Sequence, residues 1–375
     1  MAATVAFDVT PLRGARTGIG QFVACARPAI EALPGGPGLV PYVLSLRART
    51  LDPGTRRLPY PATAAVHLWR WMPVPRGRRT LQDASVVHAT NFVAPPTGLP
   101  TVITVHDCSF VTRSHHARPL VRAFGDVVRR SIDRGAWVHT PSEHVADEVR
   151  TLFGTERVRA LHHGPPPMPR LPHGEVPLPG LEGRPYIIAV GTREPRKNLA
   201  RLVLAFGAVH ARHPDLALVL IGKPSDDQPA IDAAIDALPR RTAEAVLLTD
   251  WVPGPHRSHA VHRARVLAYP SLDEGFGFPM LEAMQHGVPV VASNAGAIPE
   301  IARDAAALVD PTDIEALAEA LSDVVSDEPW RAGLIASGRR RVRDFDWRRQ
   351  AEGLATLYGD AEAADASKRR RRHRR

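Results

Sequence analysis

Cysteine is scarce: Cys25 and Cys108 are the only two in 375 residues, too few for a disulfide framework, and neither has the CxxC spacing of a metal or redox pair. A reduced, cytoplasmic setting is the expectation. No apolar run approaches the length of a membrane span, and the opening MAATVAFDVTPLRG has no basic segment followed by an apolar core. By its own sequence the chain is expected to be neither exported nor membrane-spanning. Acidic residues are sparse ahead of Gly164, where 11 Asp and Glu face 20 Arg. From Gly164 to Ser367 the balance reverses, 21 basic against 28 acidic, and the last eight residues, KRRRRHRR, carry seven positive charges. The net +9 therefore hides two electrostatically different halves and a basic tail. A basic half can face an anionic membrane, a phosphorylated acceptor or nucleic acid, or be simply a solvated arginine-rich surface.

The length and a hydrophobic content of 44% supply ample core and favour two domains over one. The seam is HHGPPPMPRLPHGEVPLPGLEGRP, His162 to Pro185, dense in Pro and Gly and without a sustained period. On either side, apolar runs of strand length alternate with longer amphipathic stretches: TVAFDV, SVVHA, TVITV and WVHT upstream, YIIAV, LALVLIG, AVLLT, RVLAYP and VPVVAS downstream. That alternation predicts an α/β protein with two parallel sheets, each covered by helices on both faces. The expected division is an N-terminal domain over 1–163, a linker over 164–184, a second domain over 185–345, a terminal helix over 346–360 and a disordered basic tail over 361–375. TPSEHVADEVRTLF is expected to be a helix capped by Thr140, with Pro141 at its first position and Glu143 closing a capping box.

In open parallel sheets ligands bind beyond the carboxyl ends of the strands, so the loops there carry the chemistry. After YIIAV comes GTREPRKNL, where Arg196 and Lys197 precede a helix that Asn198 can cap. Two cations at a helix N-terminus suit a diphosphate; alone, they could equally be a solvated basic turn. After VLAYP comes SLDEGFGFPMLEAM, where Gly275 and Gly277 make a poor helix, Pro279 suits a first helical turn and Gly287 the position past the end. Glu274 is thus expected on a loop and Glu282 one turn into a helix. Carboxylates repel phosphate but accept strongly from sugar hydroxyls, so the two loops together suggest a nucleotide-sugar. Upstream, TVITV ends at His106 and Asp107, and the first strand is followed by RGARTGIGQF, whose Gly18 and Gly20 are expected to precede a helix. A lone histidine after a strand is more often structural than catalytic. The glycine loop fails as a dinucleotide fingerprint, because Val23 holds the third glycine position, and this disfavours hydride transfer.

TGIGQF, VITVHD, TPSEH, GTREPRKNL, YPSLDEGFGFPMLEAMQHGVPVVASNAGAIPEI and AALVDPTDIEALAEAL, in this order, resemble the retaining GT-B glycosyltransferases of sequence family 4. The match runs from the first strand to about Leu357. The resemblance implies two Rossmann-like domains facing across a cleft, with the acceptor held mainly by the first, the donor mainly by the second, and the C-terminal helix returning toward the N-terminal domain. It further implies that Glu282 bonds the ribose hydroxyls and Glu274 the transferred sugar. Arg196 and Lys197 would hold the diphosphate, aided by backbone groups of Gly18, Gly277 and Phe278 and by the Gly20 loop, and His106 would lie beside the anomeric centre. No metal is expected. The only DxD, Asp344-Phe345-Asp346, leads into the last helix, with Asp346 as its cap. Asp250 in LLTDWVPG stands where relatives commonly have glycine, in the loop expected to border the base.

Double displacement needs a carboxylate nucleophile, and Asp107 is the sole nearby candidate. The resemblance implies instead front-face substitution, in which the leaving diphosphate takes the acceptor proton while Arg196 and Lys197 stabilise its growing charge. The expected activity is transfer of a hexose, with mannose from GDP-mannose ahead of UDP-hexoses, to a glycan or lipid-linked acceptor in polysaccharide synthesis. The basic tail suggests peripheral docking to an anionic membrane ahead of nucleic-acid binding. Two other classes share parts of this pattern: a GT-B sugar phosphorylase or epimerase, and a non-catalytic membrane- or nucleic-acid-binding protein resting on the basic residues alone.

Overall fold

The computed structural model describes residues 3–14, 17–48, 50–69, 71–72, 77, 79–112, 119–173 and 183–373. The chain divides into two compact units, one of residues 1–164 with 346–375, the other of 165–345. Residues 174–182 of the expected linker lie outside the described residues, and Pro165 already belongs to the second unit.

The first unit holds strands β1 (Thr4–Asp8), β2 (Gly38–Leu44), β3 (Arg56–Leu58), β4 (Val86–Ala89), β5 (Thr101–Thr104), β6 (Trp137–Thr140) and β7 (Val158–Ala160). Among the described residues they form one parallel sheet in the order β3-β2-β1-β4-β5-β6-β7. Its helices are α1 (Gly18–Glu31), α2 (Ala62–Trp69), α3 (Ser109–Thr112), α4 (Pro119–Asp133) and α5 (Glu143–Phe153). A parallel sheet needs helical crossovers on its faces, so its central strands are buried on both sides and read as unbroken apolar runs; every residue of β4 is buried. The cap of α5 differs from expectation. Ser142 is the capping residue, accepting from the Val145 N–H at 3.3 Å, and Glu143 is the first helical residue. Thr140 instead donates to the Ser142 carbonyl at 3.0 Å, because as the last residue of β6 it is held extended by the ladder.

The second unit repeats the pattern with β8 (Tyr186–Val190), β9 (Ala217–Ile221), β10 (Val246–Thr249), β11 (Val266–Tyr269), β12 (Val290–Ser293) and β13 (Ala307–Val309). These run in parallel in the order β10-β9-β8-β11-β12-β13, so the strand order reverses between β8 and β11. Its helices are α6 (Leu199–Arg212), α7 (Gln228–Asp236), α8 (Arg240–Ala243), α9 (Gly254–Arg263), α10 (Phe278–His286), α11 (Ile298–Ala302), α12 (Ile314–Ser326) and α13 (Glu328–Val342). Leu202, Val203, Phe206 and Val209 of α6 are fully buried against Ile187, Leu218 and Leu220 of the sheet. Each such side chain contributes about 1.5–3 kcal/mol by leaving water. Beyond β9, a Cβ on Gly222 would sit 1.9 Å from the Gly191 carbonyl oxygen. Only glycine therefore lets the exit of β9 cross so closely over the exit of β8, where the candidate site begins.

The chain then returns to the first unit as α14 (Trp347–His373), packed on α1 and on β4, β5 and β6. Asp346 caps it, accepting from the Arg348 N–H at 2.8 Å. The helix does not stop at 360: it continues through the residues expected to be a disordered tail as far as His373, and Arg374 and Arg375 lie outside the described residues. Its run of Ala, Glu, Lys and Arg consists of good helix formers, which explains the continuation.

Candidate active site

In the second unit, the loops after β8 and β11 flank the point where the strand order reverses, the place where an open parallel sheet leaves a crevice at the strands' carboxyl ends. After β8 the chain makes a single 3-10 turn, Pro195–Lys197, before α6. Arg196 and Lys197 project from this turn onto one carboxylate, Glu274. Arg196 donates to Glu274 Oε2 at 2.9 Å, Lys197 donates to Oε1, and Arg196 also pairs with Glu194 at 3.1 Å. The Lys197 ammonium stands 5.3 Å from the centre of the Tyr269 ring. Burial by itself would push the Glu274 carboxyl upward, but Lys197 and Arg196 outweigh it and hold the pKa at about 2. The residues predicted to bind diphosphate and sugar thus meet in one ion-paired cluster, in which Glu274 occupies both cations.

Asn198 does not cap α6 through its side chain, contrary to expectation. It is buried in the left-handed conformation, φ +59°, and its Nδ2 donates to the carbonyls of Pro270 at 3.0 Å and Pro311 at 2.7 Å. It acts as a strap that ties the β8 loop to the loops after β11 and β13. A second tie runs from the Leu272 N–H to the Arg196 carbonyl at 2.7 Å. The Glu274 backbone is fixed too, its carbonyl accepting from the Ala297 N–H at 2.9 Å.

The stretch 274–287 folds as its sequence predicts. Glu274 lies on a loop; Gly277, at φ +104°, caps the start of α10; Gly287, at φ +69°, ends it. A left-handed residue before Phe278 turns the chain sharply enough to aim the N-terminus of α10, with its partial positive charge, at the β11 loop. Glu282 is buried on α10, and its Oε1 accepts from Arg257 of α9 at 3.2 Å. Burial raises its pKa, and Arg257 partly reverses this. Arg257 was not visible as a partner in the sequence; its one signal is a cation on the helix that follows the β10 loop. Arg193 was also passed over: it is buried, donating to Gln228 at 2.7 Å and to the Thr249 carbonyl at 2.6 Å, and so fixes the loop that carries Asp250 and the exposed Trp251.

In the first unit, His106 follows β5, its Nε2 donating to the Thr90 carbonyl at 2.8 Å. Burial lowers its pKa, so the ring is neutral at neutral pH. That bond leaves Nδ1 as the acceptor nitrogen. Asp107 is committed elsewhere: its Oδ1 accepts from the Ser109 N–H at 3.0 Å and the Ser109 hydroxyl at 2.5 Å, at the start of α3. Gly18 and Gly20 do not precede the helix but form the first turn of α1, behind Thr17, whose side chain accepts from the Gly20 N–H at 3.4 Å. A carboxyl at the end of β1, Asp8, was missed; burial lifts its pKa to about 6 against the bonds from Thr10. A cavity of about 520 Å³ lies at the amino ends of β5, β6 and β7, lined by Thr101, Arg134 and Arg157 among others, at the opposite end of the strands from His106. Among the described residues no group of three or more His, Cys, Asp or Glu could hold a metal ion, and no helix is long and apolar enough to cross a membrane.

The profile described as Glycosyl transferases group 1 matches residues 178–341, and that described as Glycosyltransferase Family 4 matches 34–167. An O-antigen chain mannosyltransferase B of Escherichia coli is 30% identical over 275 residues, 70% of this chain and 71% of that protein. A GDP-mannose-dependent alpha-(1-6)-phosphatidylinositol monomannoside mannosyltransferase of Mycolicibacterium smegmatis is 33% identical over 198 residues, 50% of this chain and 51% of that protein. Among solved structures, a sucrose-phosphate synthase from Thermosynechococcus elongatus has a TM-score of 0.72 at 18% identity, with 96% of this chain and 100% of that one covered. WaaG, a glycosyltransferase involved in lipopolysaccharide biosynthesis, has 0.70 at 16%, with 94% and 99% covered. The two Rossmann-like units are those of the GT-B fold, and the chain belongs to the family 4 glycosyltransferases, enzymes of the hexosyltransferase type.

Proposed function

We propose that this enzyme is a retaining transferase that moves mannose from GDP-mannose to a glycan or lipid-linked acceptor in the synthesis of a cell-surface polysaccharide. The observation that carries the reading is the cluster of Arg196, Lys197 and Glu274 beside the N-terminus of α10. Two cations and a helix start suit a diphosphate, and the carboxylate suits sugar hydroxyls, which supports a nucleotide-sugar as the ligand. The names of the relatives support mannose as the sugar, GDP as the carrier and an O-antigen or phosphatidylinositol mannoside as the kind of acceptor.

In this reading Arg196 and Lys197 transfer their hydrogen bonds from Glu274 to the diphosphate, and the freed carboxylate accepts from hydroxyls of the sugar. Glu282 accepts from the ribose. The acceptor oxygen bonds to the anomeric carbon on the face the diphosphate leaves. The carbon–oxygen bond to the diphosphate breaks with its electron pair going to phosphate, which takes the acceptor's proton. The two cations stabilise the charge that grows there, so the mechanism assigns no step to a metal ion. Neutral His106 would accept a hydrogen bond from the sugar through Nδ1. The basic tail would hold the enzyme on the inner face of an anionic membrane.

A thermal-shift panel of GDP, UDP, GDP-mannose and UDP-glucose tests the donor, since a ligand present at 100 times its Kd adds about 2.7 kcal/mol to stability. GDP and GDP-mannose are expected to stabilise most. Stabilisation by UDP ligands alone would replace the donor, and none by any of the four would remove the donor site. Product formed only with acceptor present separates transfer from phosphorolysis or epimerisation.

A further inference from the structure

Glu282 is 2% exposed, and among the described residues the single hydrogen bond its carboxylate makes is the one from Arg257, at 3.2 Å. Arg257 gains little else by being there. Its Nε is buried and has no hydrogen-bond partner, an unfavourable placement for any donor. The guanidinium is nonetheless drawn under α10 by the helix that follows the β10 loop.

We propose that Arg257 is a positioning residue of the donor site, fixing the Glu282 carboxylate as the acceptor for the ribose hydroxyls. This rests on the donor-site reading above. A ribose diol is neutral and only donates usefully to an ionised carboxylate; a protonated carboxyl loses acceptor capacity and the strength of a charge-assisted bond. Burial disfavours the ionised form of Glu282, and the charge that opposes burial is Arg257. The other elements packed on α10 offer no substitute. Helix α9 also presents His262, whose ring lies tilted against that of His286 at 5.2 Å between ring centres, and Ser258, which bonds His286 at 2.9 Å. Helix α13 presents Arg339 beside Gly287, at the far end of α10, and β11 presents Tyr269 beside Gly277. Oε1 is held from one side by Arg257, and the carboxylate keeps its remaining lone pairs for a second partner.

Two measurements test this, one without ligand. In protein carrying 13C-labelled glutamate, with Glu282→Gln used for assignment, Arg257→Met is expected to raise the Glu282 titration by about one pH unit or more. Arg257→Lys is expected to keep it near wild type. In calorimetric titrations with GDP and with UDP, Arg257→Met is expected to weaken the better ligand about tenfold at pH 7, the worth of a charge-assisted bond. The gap should widen as the pH falls into the Glu282 titration, which the variant reaches at higher pH than wild type, and Arg257→Lys should restore most of the affinity. Arg257→Gln serves if the Met variant does not fold. An unmoved Glu282 titration, or an affinity loss equal at every pH, overturns the assignment of Arg257 while leaving the donor site standing. Failure of the wild-type protein to bind either nucleotide would instead remove the donor site, and the ribose role of Glu282 with it.

Discussion

Arg196 donates to Glu274 over 2.9 Å, and that bond joins the loop after β8 to the loop after β11 at the point where the strand order of the second sheet reverses. Glu274 is therefore the counter-ion of the Arg196–Lys197 pair and, in the proposed reading, also the group that meets the sugar. Glu274→Gln is expected to abolish measurable transfer, yet to leave affinity for the nucleoside diphosphate unchanged or several-fold higher, because two cations are released to it. Folding stability should fall by about 3 kcal/mol, since Lys197 is left buried without its partner. Calorimetry with GDP and urea denaturation check the two halves. A nucleotide affinity that falls with activity would mean that Glu274 serves the diphosphate's site rather than the sugar's.

Arg196→Ala and Lys197→Ala should each reduce transfer more than they weaken nucleoside monophosphate binding. In the proposed reading both lie where charge develops on the leaving diphosphate, and loss of one such contact costs about 10²–10³ in rate. Equal loss of rate and monophosphate affinity would make the loop structural only.

Asn198→Ala is expected to destabilise the second unit by about 2 kcal/mol or more, through two buried carbonyls that lose their donor and a left-handed backbone that alanine tolerates poorly. Asn198→Asp should be worse, because it places a carboxylate against the same two oxygens. Asn198→Gly, which removes only the backbone cost, should fall between wild type and Ala. Denaturation midpoints order the series.

The first unit carries a buried histidine network. His88 bonds Tyr358 of α14 at 2.7 Å and Thr104 at 2.8 Å, and Thr104 bonds His139 at 2.9 Å. Phe22 stacks on His163, whose Nδ1 bonds Gln350 at 2.5 Å. Burial depresses the pKa of each of these histidines, that of His139 to about 3 from an ordinary 6.5. The unfolded chain therefore takes up protons below pH 6.5 while the native state does not, so stability is full above pH 6.5 and is lost as pH falls toward 3. The slope is about 1.4 kcal/mol per pH unit for each such histidine. Urea denaturation between pH 5 and 8 should show this fall, and His139→Gln should reduce the slope by one proton's worth.

Removing Lys368 to Arg375 should lower co-sedimentation with anionic vesicles at low salt and leave turnover of a soluble acceptor unchanged. Undiminished vesicle binding would shift the docking surface to the arginine-rich first unit.

What the sequence reveals and hides follows from the range of the interactions. Strands such as YIIAV and VPVVAS are legible because strands buried on both faces must be apolar throughout. The bounds of α10 are legible because Gly277 and Gly287 mark left-handed turns that local chemistry dictates. Glu274 and Glu282 fall as expected, on a loop and on a helix, for the same local reason. Asn198 misleads because it looks like a helix cap, while its actual partners are carbonyls 72 and 113 positions away. Thr140 misleads by two residues because the ladder of β6 keeps it extended past the point where local chemistry would start a helix. Arg257 is hidden because its value lies in which face of α9 meets α10. Composition, likewise, makes a basic tail look unstructured, whereas its residues continue α14 as far as His373.

Because α14 closes the first unit from the far end of the chain, the second unit is in effect an insertion within the first. During synthesis the second unit can fold from one continuous segment, whereas the first leaves the ribosome unfinished. His88 waits for a tyrosine 270 positions later, and until Trp347 arrives the ring of His163 lacks the indole on which it stacks in the finished unit. A nascent chain stalled before α14 would thus expose apolar surface and an unsatisfied polar network in its earliest-made part, which makes that part a natural client for chaperones.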